Sequence, residues 1–281
     1  MTHPFQRLLL ATEHGEFDAG AEALGFAMAQ RCGLSLPTVI PLVSNPEYEA
    51  LAPQIVARAE QDAARRIKDL RTQAEAKGVS IDLRLRRGED PYREIVDEAR
   101  QQGCDLIIIR RRGRRGFLAN LLVGEMVTKV VMHAPCHVLI VPRQATMWSR
   151  NILAAVEATP QGQSVAELAA SVALECRLPL HLVTVVNATA DREPASRFVG
   201  DLSTRLAQQG VQTTSEVRVG TPYEEILDAA RAGGADLIVL SSRGEKHLGR
   251  ALVGGVAQKV LGLSEWPVLV MNPHHNLKLM P

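Results

Sequence analysis

PYREIVDEARQQGCDLIII, from Pro91 to Ile109, returns as PYEEILDAARAGGADLIVL from Pro222 to Leu240. The two stretches share Pro-Tyr, Glu-Ile, Ala-Arg and Asp-Leu-Ile at a constant offset of 131 residues, which chance does not produce. Each reads as a helix followed by a strand. Proline is tolerated in a helix's first turn, where an N–H has no intrahelical partner in any case. The runs LIII and LIVL are short and continuously apolar, as in strands covered on both faces.

The repeat extends outward in both directions. LLLATE, from Leu8 to Glu13, matches ILAAVE, from Ile152 to Glu157, at an offset of 144, and the same offset sets Cys32 on Cys176. LVGEMVTKVVMHAPCHVLIV from Leu122 parallels LVGGVAQKVLGLSEWPVLVM from Leu252 at an offset of 130. Because the matches keep their order, each half is expected to run strand, helix, strand, helix, strand, helix, strand, loop, helix, strand. In the first half the strands fall near 6–12, 36–43, 79–87, 105–110 and 137–142. Gly78 and Gly210 close the helices before the third strands. The expected fold is therefore α/β, with two tandem doubly wound domains, 1–143 and 144–281, each an open five-stranded parallel sheet flanked by helices. The linker lies near Gln144 to Ser149, and the copies differ most in the helix Glu47–Lys77, which outruns its counterpart Glu193–Gln209.

Composition narrows the function. The 32 Lys and Arg against 31 Asp and Glu leave a formal charge of +1, which offers no global field to recruit nucleic acid or an anionic membrane. Four cysteines, Cys32, Cys104, Cys136 and Cys176, form no C-x-x-C pair and read as buried thiols in a reducing compartment. The N-terminal apolar run before Glu13 is too short for a secretory signal, and no segment approaches the ~18 apolar residues of a spanning helix. A cytoplasmic protein is expected. His274 and His275 lack further ligands at metal-binding spacing, and no metal is expected there.

In an open parallel sheet, ligands bind beyond the carboxyl ends of the strands, where the connection direction reverses. Two features of each half converge on that place. One is the carboxylate ending the first strand, Glu13 or Glu157. The other is the glycine-bearing loop after the fourth strand, RRRGRRGFLANLLVGE from Arg110 and SSRGEKHLGRALVGG from Ser241, which leads into a helix. Glycines let backbone N–H groups approach phosphate oxygens, and a helix N-terminus favours negative charge.

With these residues in view, the whole chain resembles the universal stress protein family, twice over. APCHVLIV from Ala134 and SEWPVLVM from Ser264 are similar to the family's closing strand. Its ATP-binding members carry G-x2-G-x9-G-[ST] after the fourth strand. In the second half Gly244 and Gly254 keep the nine-residue spacing, while Ser241 stands at the first glycine position and Gly255 at the terminal hydroxyl position. In the first half Arg110 replaces the first glycine, ten residues separate Gly113 from Gly124, and Glu125 stands where the hydroxyl belongs. The family's first-strand aspartate is glutamate in both copies. The resemblance implies an adenine nucleotide, ATP with Mg²⁺, held in the second half by Ala155, Glu157, Val185, Ser241, Gly244, Gly254, Gly255 and Val256. It implies a degraded site at Glu13, Arg110, Gly113, Gly124 and Glu125. It also implies that the halves pair as an intramolecular pseudo-dimer through their last strands, Val138–Val141 and Val268–Met271, whose open edges would otherwise be a liability.

No P-loop, G-x-G-x-x-G, H-E-x-x-H or G-x-S-x-G signature occurs. Ser241 and Ser242 with His247 lack a third group to orient a base. Glu89 with Asp90 precedes a helix start that favours acids on electrostatic grounds. Tyr92 and Tyr223 read as packing residues at a helix's first turn, with ligand contact the open alternative. The expectation is a non-catalytic stress-response module with no nucleic-acid or membrane partner, self-association or a protein partner being open to it. Two alternatives stand beside it. One is a scaffold that engages acidic partners, or another anion, through Arg110, Arg111, Arg112, Arg114 and Arg115; the other is slow hydrolysis of a bound nucleotide.

Overall fold

The computed structural model describes residues 3–43, 51, 53–111, 124–242 and 253–272. The first half contains β1 (Leu8–Ala11), α1 (Ala19–Cys32), β2 (Leu36–Val43), α2 (Pro53–Ala76), β3 (Ile81–Gly88), α3 (Pro91–Gln102), β4 (Leu106–Arg110), α4 (Glu125–His133) and β5 (His137–Val141). The second contains β6 (Ile152–Ala155), α5 (Pro160–Cys176), β7 (Leu180–Val186), α6 (Arg192–Gln208), β8 (Thr213–Val219), α7 (Pro222–Ala232), β9 (Leu237–Ser241), α8 (Gly255–Leu263) and β10 (Val268–Met271). Pro91 and Pro222 stand in the first turns of α3 and α7, as their sequence context requires.

The repeated Asp-Leu-Ile has a structural cause. The carboxylate of Asp105, just before β4, accepts the backbone N–H groups of Gln6 at 2.7 Å and Arg7 at 3.1 Å, fixing the start of β1 alongside. Asp236 does the same before β9, accepting from Ser149 at 2.8 Å, Arg150 at 3.1 Å and Asn151 at 3.3 Å. Charge-assisted bonds of this kind are stronger than neutral ones. They satisfy the donors of the segment entering the sheet and set the register Leu8↔Leu106 and Ile152↔Leu237.

The five strands of each half join through their last strands, and the whole forms one continuous sheet of ten in the order β3-β2-β1-β4-β5-β10-β9-β6-β7-β8. Pairing is parallel within each half. At the centre β5 and β10 pair antiparallel, with Val268 opposite Ile140, Leu269 opposite Leu139 and Val270 opposite Val138. Two otherwise exposed strand edges satisfy each other there.

Alternate strand residues point to opposite faces, so two apolar layers result, and each runs through both halves. Leu8, Leu10, Leu106, Ile108, Leu139, Leu269, Ile152 and Ala154 lie on the face covered by α1, α2, α5 and α6. Leu9, Ile107, Ile109, Ile140, Val268, Leu153 and Ile238 lie on the face covered by α3, α4, α7 and α8. The connector is part of this packing, since Trp148 is 3% exposed and sits in the first layer. α2 has 24 residues against 17 in α6, and the start of the longer expected helix lies outside the described residues.

Residues 1–143 alone would leave the β5 edge open, and they are expected to self-associate through it; light scattering that finds only monomer would count against this account. A second prediction concerns the end of α5. α1 closes on Gly33 at φ 63°, whereas α5 closes on the exposed Arg177 at φ 54°. The left-handed conformation costs a residue with a Cβ roughly 1–2 kcal/mol, so Arg177→Gly is expected to stabilise the chain by about 1 kcal/mol, read from the midpoint of denaturant unfolding.

Candidate functional site

β1 and β4 are neighbours although β2 and β3 precede β4 in sequence, so the connection direction reverses between them. The segments leaving their carboxyl ends diverge to opposite faces and open a crevice. The same holds between β6 and β9. The two crevices have the same backbone frame and different chemistry.

In the first half, Arg110 ends β4 and turns inward. Its side chain is 6% exposed and pairs through Nη2 with Glu13 at 2.8 Å and through Nη1 with Asp18 at 2.5 Å. Asp18 is almost fully buried and also accepts the N–H of Gly15 at 2.9 Å. Burial pushes the Asp18 carboxyl above its usual range, against the opposing pull of the Arg110 guanidinium. Next to this pair, the Thr12 hydroxyl donates to buried Glu22 at 2.6 Å, and His14 Nδ1 lies 3.0 Å from the same carboxylate. His14 holds φ at 52°, and its N–H donates to Thr12 Oγ1 at 2.8 Å. Arg66 of α2 donates to the Glu13 carbonyl at 3.0 Å. Space that a glycine at position 110 would leave open is filled by a guanidinium.

In the second half the equivalent of Arg110 is Ser241, half-buried at the end of β9, where Gln161 donates through Nε2 to its hydroxyl. Thr159 caps α5, its hydroxyl accepting the N–H of Gly162 at 3.1 Å, with Pro160 in the first turn. Only glycine fits at position 162, because a Cβ there would stand 2.0 Å from the Glu157 carbonyl oxygen. That close approach pins the backbone of Glu157, whose residue is exposed at the crevice. Ala155 and Val185, half-buried, pack at the carboxyl ends of β6 and β7 against the layer under α7 and α8. Gly254 and Gly255 start α8; the Gly254 N–H is held by the Ser242 carbonyl at 2.9 Å, and a Cβ on Gly255 would meet open space. The following N–H groups of the first turn have no intrahelical partners. Val256 beside them is 38% exposed.

The residues named from sequence therefore come together as follows. Ala155, Glu157, Val185, Ser241, Gly254, Gly255 and Val256 surround the second crevice, and Glu13 and Arg110 meet in the first. Gly124 and Glu125 start α4, where Glu125 pairs with Lys129 at 2.8 Å, one turn along its own helix. Gly113, Gly244, His247, Arg112, Arg114, Arg115, His274 and His275 lie outside the described residues. Sequence reasoning missed Thr12, His14, Asp18, Glu22, Gln161 and Thr159. The signal for Asp18, Glu22 and Thr159 was their place around the first turns of α1 and α5, where acids and hydroxyls satisfy helix N-termini.

The basic run needs correction at its first two members, since neither is a solvated cation free to hold an external anion. Arg110 is engaged as described. Arg111 reaches into the other half, donating to the carbonyls of Gly262 at 3.0 Å and Ser264 at the C-terminus of α8, and burial lowers its pKa. Two cysteines need correction as well. Cys104 and Cys136 are buried, with burial pushing Cys104 up to about 12 and raising Cys136 as well, but Cys32 and Cys176 are only half-buried. Tyr92 packs beside His133 with Lys129 over its ring, and Tyr223 carries Lys259 at 4.3 Å, so both act in helix packing. Among the described residues no cluster of three or more His, Cys, Asp or Glu could hold a metal ion, and no helix is long and apolar enough to cross a membrane.

Two tandem α/β units, each with a crevice at its reversal point, define the class of protein. The model of the universal stress protein family matches residues 4–142 and again 149–272, so the chain belongs to that family and carries two of its domains. A universal stress protein of Synechocystis is 25% identical over 165 residues, 59% of this chain and 57% of the relative. One of Bacillus subtilis is 32% identical over 94 residues, 34% of this chain and 63% of the relative. The chain thus covers under two thirds of the length of each of these relatives. One of Thermus aquaticus is 31% identical over 138 residues, which cover 98% of it and 49% of this chain. A universal stress protein structure from Archaeoglobus fulgidus has the same fold, with a TM-score of 0.74 at 20% identity over 96% of this chain and 97% of its own. So does a functionally unknown protein of Pseudomonas aeruginosa, with a TM-score of 0.67 at 20% identity over 96% and 93%.

Arg110→Met would leave Asp18 buried without its cation, and such a break typically costs about 3–5 kcal/mol. An Asp18 pKa above the ordinary 3.8 means that ionisation opposes folding. That cost is absent below the unfolded value and complete above the folded one. Removing the cation raises the folded value further, so the stability deficit of Arg110→Met should shrink as pH falls through that raised value in denaturant melts. A deficit that stays constant would show that Asp18 is not the group left stranded.

Proposed function

We propose that this chain is a non-catalytic stress-response module with two unlike halves, in which residues 144–281 hold an adenine nucleotide and residues 1–143 have closed their crevice with their own arginine. The observation that carries the reading is the difference at one position of the repeat. Arg110 is sealed between Glu13 and Asp18, whereas Ser241 presents a hydroxyl beside Gln161. A phosphate entering the first crevice would meet Glu13 and Asp18 and would have to break a buried ion pair. In the second crevice it would meet the start of α8, where Gly254 and Gly255 put no side chain in the way. Ala155, Val185 and Val256 would cover the apolar face of the base, and Glu157 would take the ribose end, with ATP and Mg²⁺ as the form tested first. Family membership supports the same reading.

The alternative of a scaffold acting through the arginine loop is weakened by the engagement of Arg110 and Arg111 inside the molecule. Among the described residues of the second crevice no base is held in place to orient a water for hydrolysis.

Titration calorimetry with ATP and Mg²⁺ is expected to give about one equivalent per chain, as one open crevice requires. Ser241→Arg, which installs the first half's residue in the second, and Gly244→Asp are each expected to abolish it. Two equivalents, or binding that survives both variants, would overturn the assignment. Absence of binding by the folded wild-type chain would overturn the nucleotide reading altogether.

A further inference from the structure

A second cavity lies away from both crevices, on the first apolar layer where the two halves meet. It has a volume of about 30 Å³ and takes its walls from the ends of α1 and α5 together with the connector. Met28, Arg31 and Cys32 come from α1, and Val172, Glu175 and Cys176 come from α5 at the repeat offset of 144. It therefore sits on the axis relating the copies, and each half contributes one cysteine. Met147 of the connector adds a second thioether beside that of Met28.

Size and chemistry decide what this cavity can take. A cavity of about 30 Å³ has room for a water or an ion of similar size. A water would need several polar partners, whereas Phe5, Leu8 and Val172 line much of the wall. Hard cations need carboxylate or carbonyl oxygens. Thiols and thioethers are soft donors, which select Cu(I) and ions like it. Cys32 and Cys176 are not disulfide-bonded, are half-buried, and both line this one cavity. Burial pushes both thiols above their usual range; the Glu175 carboxylate adds to this and the Arg31 guanidinium opposes it. The indole N–H of Trp148 donates to Cys176 Sγ at 3.3 Å, and His3 pairs with Glu175 at 2.7 Å beside them.

We propose that Cys32 and Cys176 form a two-coordinate site for a soft monovalent cation of the Cu(I) type at the junction of the two halves. Binding breaks two S–H bonds, releases two protons to solvent and forms two S–metal bonds with no change of oxidation state. The product carries one negative charge, which the Arg31 guanidinium balances. Met28 and Met147 shield the ion from water. Occupancy joins α1 to α5 and so ties the halves together at a second place.

The test uses the full reduced chain with Ag(I) as the probe, in the presence of a competing thioether ligand. Native mass spectrometry is expected to show one silver per chain with loss of two protons, and thiol counting should show two of the four cysteines protected together. Cys32→Ser and Cys176→Ser should each weaken binding roughly 100-fold or more, because a bis-thiolate becomes a single thiolate. Cys104→Ser and Cys136→Ser, in the opposite layer, should leave it unchanged. Circular dichroism verifies that the variants are folded, and protection of the wild-type thiols needs no variant. Two silver ions bound independently, binding retained in the Cys32→Ser/Cys176→Ser double variant, or failure to compete with the thioether would overturn the proposal.

Discussion

Everything in this molecule is referred to one antiparallel contact, the pairing of β5 with β10 around Leu139 and Leu269. Each half alone is a five-stranded sheet with an apolar strand at its inner edge, and such an edge offers unpaired N–H and C=O groups to any passing chain. Joining the edges turns two sheets into one and makes both apolar layers continuous across the junction. Other contacts gather around it: Arg111 on the end of α8, Asn272 donating to His137 Nδ1 at 3.1 Å, and Arg31 donating to the Glu175 carbonyl at 3.2 Å.

On this shared frame the crevices have moved apart chemically. The first is a closed polar system in which Arg110 pairs with Glu13 and Asp18 while Glu22 is held by Thr12 and His14. Buried ion pairs of this kind add little net stability, since desolvation offsets most of the attraction, yet they fix geometry because breaking one is costly. The second is organised by short polar groups and glycines, Thr159, Gln161, Gly162, Ser241 and Gly254. One is built to be complete in itself and the other leaves a helix start accessible.

The fold was legible in the sequence wherever a residue's role is local. Continuous apolar runs marked strands β4, β5, β9 and β10, Pro91 and Pro222 marked helix starts, and the repeat supplied the order of elements. Composition alone does not show the union of the sheets, because an edge strand and a paired strand have the same composition; the family resemblance is what implied pairing through the last strands. The candidate site was legible as positions, since Arg110 and Ser241 stand out against a glycine pattern. Its partners were not. Asp18 and Glu22 reach Arg110 and Thr12 only after α1 folds back over β1, and acids around a helix's first turn carry a sufficient local explanation without any site. Gln161 meets Ser241 across 80 residues of sequence, a distance over which no pattern in one chain speaks.

The segment from 142 to 151 has consequences beyond its length. Trp148 anchors it in the core and Asp236 holds its end, so it keeps one half permanently at the other's edge. For separate subunits association depends on concentration; with such a tether it becomes an intramolecular step at a high effective concentration. Symmetry is what this arrangement gives up. In a pair of identical chains every substitution appears in both sites at once, so neither can specialise without the other. Within one polypeptide an arginine can enter position 110 while position 241 keeps its serine, and a division of labour becomes heritable.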